Sequence, residues 1–88
     1  MVFCTPYIHL KTVSVILKDI LNIHLGAQNC HENEKGAYTG EISAPQLKST
    51  CCDYVILGHS ERREYYKESN EVLAKKTKIV LALSLIHI

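Results

Sequence analysis

The sequence has almost no charge of one sign to spare: ten lysines and arginines stand against nine aspartates and glutamates, a formal net charge of +1. Nucleic-acid and anionic-membrane binders rely on an excess that is missing here, so neither kind of partner is expected. A long apolar run is also lacking. The longest, Ile79 to Ile88, is interrupted by Ser84 and His87, whereas a membrane-spanning helix takes about 20 apolar residues. Met1 to Pro6 carries neither the basic region nor the apolar stretch of a secretory signal, which makes cytoplasmic residence the expectation. Cys4, Cys30, Cys51 and Cys52 show neither the spacing of a disulfide framework nor a C-x-x-C metal motif. Reduced thiols and no metal are expected, with a vicinal Cys51–Cys52 bond disfavoured by its strained geometry. Gly36 and Gly40 match neither the dinucleotide fingerprint nor the phosphate-binding loop, and no cofactor is expected.

What remains is a globular composition, 47% hydrophobic and 22% charged over 88 residues. That is enough for one small domain with a packed core, and too little for two. Val2 to Cys4, His24 to Asn29 and Tyr54 to Leu57 read as strands. The third is continuously apolar rather than alternating, as in a parallel sheet covered on both faces. Leu10, Val13, Ile16, Leu17, Ile20 and Leu21 fall at helical spacing, which predicts an amphipathic helix over 10–21. Ser43-Ala44-Pro45-Gln46 is a helix start with a capping box, predicting a short helix to about Thr50. Ser69 can cap a longer helix whose stripe is Val72, Leu73, Lys76, Ile79, Val80 and Leu83, with Lys76 contributing its aliphatic stem. The order β-α-β-α-β-α predicts a parallel α/β sheet, with function at the carboxyl ends of the strands. Those ends are Pro6 to His9, Asn29 to Glu41 and His59 to Glu68. The loop from Cys30 to Ile42 is long for a βα connection, which invites a functional explanation.

The densest chemistry follows the third strand, in Gly58-His59-Ser60-Glu61-Arg62-Arg63. A histidine at a helix N-terminus meets peptide N–H groups that disfavour its protonated form, so His59 is suited to act as a neutral hydrogen-bond donor. Ser60 is not a nucleophile elbow, because Arg62 stands where G-x-S-x-G requires its second glycine. Glu61, Arg62 and Arg63 read as an ion-pair network.

Three stretches in order, Gly26-Ala27-Gln28-Asn29-Cys30-His31, Glu34 to Pro45 and Cys52 to Arg63, closely resemble the triosephosphate isomerase family, and one register holds from about Val2 to Leu81. The resemblance implies an eight-stranded βα barrel, of which 1–83 looks like the second to fourth βα units, with 84–88 a tail without an assigned role. It implies interconversion of dihydroxyacetone phosphate and glyceraldehyde 3-phosphate in glycolysis and gluconeogenesis. His59 then matches the histidine that polarises the substrate carbonyl, and Glu61 a supporting carboxylate. It further implies a homodimer in which the long loop reaches a second subunit, with Tyr38 and Thr39 at the interface and Glu41 and Arg62 as an intersubunit ion pair. The family's lysine on the first strand and base on the sixth have no counterpart here. A complete barrel takes about 250 residues, so these 88 are expected to be inactive alone. The alternative is a non-enzymatic interaction piece that uses the dimer loop. Cys51 stands where the family usually has a helix-ending glycine, and no such glycine or following strand is expected at the tail.

Overall fold

The computed structural model describes residues 1–87. Four parallel strands, β1 (Val2–Thr5), β2 (His24–Ala27), β3 (Tyr54–Val55) and β4 (Ile86–His87), form one sheet in chain order. Val2 pairs with His24, Gly26 with Tyr54, and Tyr54 with Ile86. The helices between them are α1 (Leu10–Leu17), α2 (Ala44–Ser49), α3 (Ser60–Tyr65) and α4 (Asn70–Ala82). This is the parallel α/β arrangement that the alternation of patterns predicts, and none of the helices among the described residues is long and apolar enough to cross a membrane.

Pro6 ends β1, and one 3₁₀ turn over Tyr7–His9 leads into α1. The helix stops at Leu17, four residues before the end predicted from spacing. Ile20 N–H bonds to Leu17 O, and Asn22, at φ 65°, turns the chain into β2. The reason is cover: Leu10 is buried, but Ile16 and Leu21 are 64% and 86% exposed, so the far end of the apolar stripe has nothing to pack against. Gln28 and Asn29 also leave their strand early, because their side chains are committed elsewhere; Gln28 Nε2 donates to Cys4 O at 3.2 Å.

The capping signals are realised. Ser43 Oγ accepts from Gln46 N–H at 3.3 Å while Gln46 Oε1 accepts from Ser43 N–H at 2.8 Å. Ser69 Oγ accepts from Val72 N–H at 3.3 Å. The core gathers Leu10, Leu25, Ala27, Leu47, Val55, Val80 and Leu85 between the sheet and its helices. Gly26 sits at the centre of β2, where a Cβ would fall 2.6 Å from Cys4 Sγ. β1 and β2 close up there only because this side chain is absent.

Residues 84–87 of the tail to which the sequence assigns no role contribute structure. Ser84, at φ 61°, takes the left-handed position at the end of α4; its N–H bonds to Leu81 O and that of Leu85 to Val80 O. This is the Schellman arrangement, made with serine where glycine is usual. Leu85 is then buried at 1% exposure, and Ile86–His87 pair with β3 as a fourth strand. The three-strand expectation is corrected accordingly. Ile88 lies outside the described residues.

Candidate functional site

At the carboxyl end of β3 the chain turns through Gly58, at φ 68°, where a Cβ would meet Leu73 at 2.9 Å. His59 follows as the N-cap of α3. Its Nδ1 accepts from Glu61 N–H at 3.1 Å. A nitrogen that accepts carries no proton, so the proton of the neutral ring is on Nε2, which is left as a donor. The Glu61 carboxylate is 3.8 Å from the same Nδ1 and 72% exposed. His59, Glu61, Arg62, Tyr7, Gln28 and Asn29 are among the residues lining an open cleft of about 530 Å³ at this rim. Burial, and secondarily the neighbouring Cys30, raise the Tyr7 phenol above its ordinary range and keep it neutral.

Beneath the cleft lies a charged cluster that holds α3 in place. Lys76, on α4 and only 4% exposed, donates from Nζ to Asn29 Oδ1 at 2.9 Å and to Glu68 Oε2. Arg62 Nε donates to the same Glu68 oxygen at 3.1 Å, and its guanidinium lies 4.7 Å from the centroid of the Tyr66 ring. Burial pushes the Glu68 carboxyl up, but the bonds from Lys76 and Arg62 outweigh it and hold the group below the ordinary carboxylate range. The network expected of Glu61, Arg62 and Arg63 thus runs through other partners: Arg62 goes to Glu68, Arg63 Nη1 to Asn70 Oδ1 at 3.0 Å, and Glu61 to neither. Glu68 and Asn29 are the residues that sequence reasoning missed as partners. The available signal is a lysine in an apolar stripe, whose buried amine needs a partner as well as a place for its stem.

The long loop projects from the neighbouring strand end. Tyr38, Thr39 and Glu41 are exposed along it, and Glu41 Oε1 is 3.4 Å from His31 Nδ1. Within the chain Glu41 and Arg62 are not paired with each other. All four thiols are free, with Cys30 and Cys52 buried, Cys4 half-buried and Cys51 exposed. Among the described residues no group of three His, Cys, Asp or Glu side chains is placed to hold a metal.

The family model described as triosephosphate isomerase matches residues 1–88. The chain belongs to the triosephosphate isomerase family. A triosephosphate isomerase of Cytophaga hutchinsonii is 55% identical over 82 residues, covering 93% of this chain and 32% of the relative. One of Bacteroides fragilis is 53% identical over 81 residues, covering 92% and 32%. One of Dictyoglomus thermophilum is 51% identical over 87 residues, covering 99% and 34%. The chain spans about a third of the length of these curated relatives. In triosephosphate isomerase terms, its four parallel strands and alternating helices are a segment of the (βα)₈ barrel.

Proposed function

We propose that this chain is the part of a triosephosphate isomerase that carries the carbonyl-polarising histidine, His59, for the interconversion of dihydroxyacetone phosphate and glyceraldehyde 3-phosphate. The observation that carries the reading is the capping geometry: Nδ1 is occupied by Glu61 N–H, so the ring can present Nε2–H as a neutral donor at the rim where barrel enzymes bind substrate. A donor aimed at a carbonyl oxygen stabilises the negative charge that builds there when a proton leaves the neighbouring carbon. Glu61 supports this through its backbone N–H. The base that removes the proton has to reach the carbon itself, and a polarising histidine does not substitute for it. The 88 residues alone are therefore expected to show no enzymatic turnover.

The loop supports a homodimer, with Tyr38 and Thr39 entering a second subunit and Glu41 meeting its Arg62. The four free thiols favour a reducing, cytoplasmic setting. The same loop favours the second reading, a non-enzymatic interaction piece, if turnover is absent even from a completed barrel.

The deciding experiment joins this segment to the remaining strands of one of the relatives and compares His59 with His59→Gln. We expect an active barrel whose kcat falls at least about 100-fold on substitution, the lower range for losing one positioned polar catalyst. Unchanged turnover in the variant removes His59 from the mechanism.

A further inference from the structure

The loop between β2 and α2 has no helix or strand of its own, yet its neck is closed and one side chain fills its interior. His31 N–H donates to Ile42 O at 2.8 Å, bringing the two ends together. The His31 side chain is 17% exposed, while residues 34 to 41 around it are all exposed. Three loop side chains converge on the imidazole. The Tyr38 ring lies 4.5 Å away between centroids, Glu41 Oε1 is 3.4 Å from Nδ1, and Asn33 Nδ2 is 3.2 Å from Nε2. Gly36, at φ 122°, makes room for this tilted ring contact, since a Cβ there would lie 2.5 Å from Tyr38 Cε2. A loop closed at its ends and packed by its own side chains is a compact Ω-type loop. One that already has its bound shape avoids the ordering cost of docking.

We propose that His31 is a positioning residue, the internal clasp that holds Tyr38 and Glu41 in the shape that docks on a second copy of this chain. The inference rests on the loop-docking reading above and names the residue that prepares it. In the neutral ring, Nε2 accepts from the Asn33 amide and Nδ1–H faces Glu41 Oε1. A carboxylate accepts at both oxygens, so Glu41 keeps Oε2 for a guanidinium. Arg62 spends Nε on Glu68 and retains its two terminal nitrogens as donors. The clasp and the intersubunit pair therefore use different atoms and can exist together.

The test uses the 88-residue chain and three variants, His31→Ala, His31→Phe and His31→Gln, with amide hydrogen exchange and Tyr38 ring shifts read by NMR. In His31→Ala we expect exchange of the amides from Asn33 to Glu41 to rise about tenfold while the β1–β2 ladder is unchanged. His31→Phe keeps the ring contact and should restore the Tyr38 shift without restoring Glu41. His31→Gln keeps a donor for Glu41 and should restore part of the protection near it. Equal loop exchange in the native chain and His31→Ala, or a native loop with no protection at all, overturns the clasp. Sedimentation equilibrium then separates the two ideas. A tenfold or greater loss of self-association in His31→Ala, with little further loss on adding Arg62→Ala, supports positioning through Glu41. A protected, His31-dependent loop on a chain that stays monomeric at every concentration refutes the docking reading and leaves the clasp standing.

Discussion

A lysine ammonium taken out of water costs several kcal/mol unless it is bonded on more than one side, and Lys76 meets that condition through Asn29 and Glu68. Replacing it with a group of similar length and no charge, Lys76→Met, leaves the Glu68 carboxylate buried with Arg62 as its remaining cation. We expect a loss of about 3–5 kcal/mol in urea unfolding, with partial recovery in Lys76→Met combined with Glu68→Gln. The pH dependence has a definite sign on the acid side. Glu68 is held below its ordinary value of 4.5, so its contribution is present above that value and is lost as pH falls through the lowered one. On the alkaline side burial raises the Cys30 and Cys52 thiols from 9.0 to about 11. Between these values the unfolded chain releases protons that the folded chain keeps, so stability falls as pH rises through the window. Circular dichroism across pH 3 to 11 checks both arms; a flat alkaline arm would show that these thiols are solvated. The sequence places Lys76 in the buried stripe correctly, since spacing reports where the stem goes. It does not report the fate of the amine, because Asn29 is 47 residues away and no local pattern encodes that distance.

Helix ends show the same division between what is local and what is not. Cys51, at φ 64°, occupies the left-handed position that follows α2, its N–H bonding to Lys48 O at 3.1 Å. Its strain was legible from the family's glycine at that place. Ser84 adopts the same conformation after α4 without glycine, and the sequence offered no sign of it. A left-handed residue with a Cβ carries about 1–2 kcal/mol of strain, part of which glycine returns through the entropy of the unfolded chain. Cys51→Gly and Ser84→Gly are therefore each expected to stabilise the fold by about 0.5–1 kcal/mol, read as an upward shift in thermal midpoint. A decrease at Ser84 would mean that the turn is held by contacts the serine side chain makes. Caps were readable because a capping box lies within four residues, as in Ser43 to Gln46. The end of α1 was not, since the stripe through Ile20 and Leu21 continues after the cover has run out.

At the scale of the whole chain, apolar surface exceeds what the sheet and four helices can hide. Ile8, Val15, Ile16 and Leu21 are 84%, 62%, 64% and 86% exposed. Among the described residues β1 and β4 each have one neighbour and an open edge. Open strands beside apolar surface favour association. Light scattering of the isolated chain is expected to show concentration-dependent association at micromolar levels, and a strictly monomeric, sharply cooperative unfolding transition would contradict it. The parallel class and the rim that bears His59 were legible from the order of the patterns, whereas the fourth strand was not, being only two residues long and reached through an unmarked turn. The strand order also governs how the chain is made. Every strand pairs with its neighbour in sequence, β1 with β2, β2 with β3, and β3 with β4. Each strand after β1 leaves the ribosome with its template already outside the exit tunnel. No strand waits for a partner beyond the next strand in the chain, so the sheet can grow in the direction of translation, one βα unit at a time.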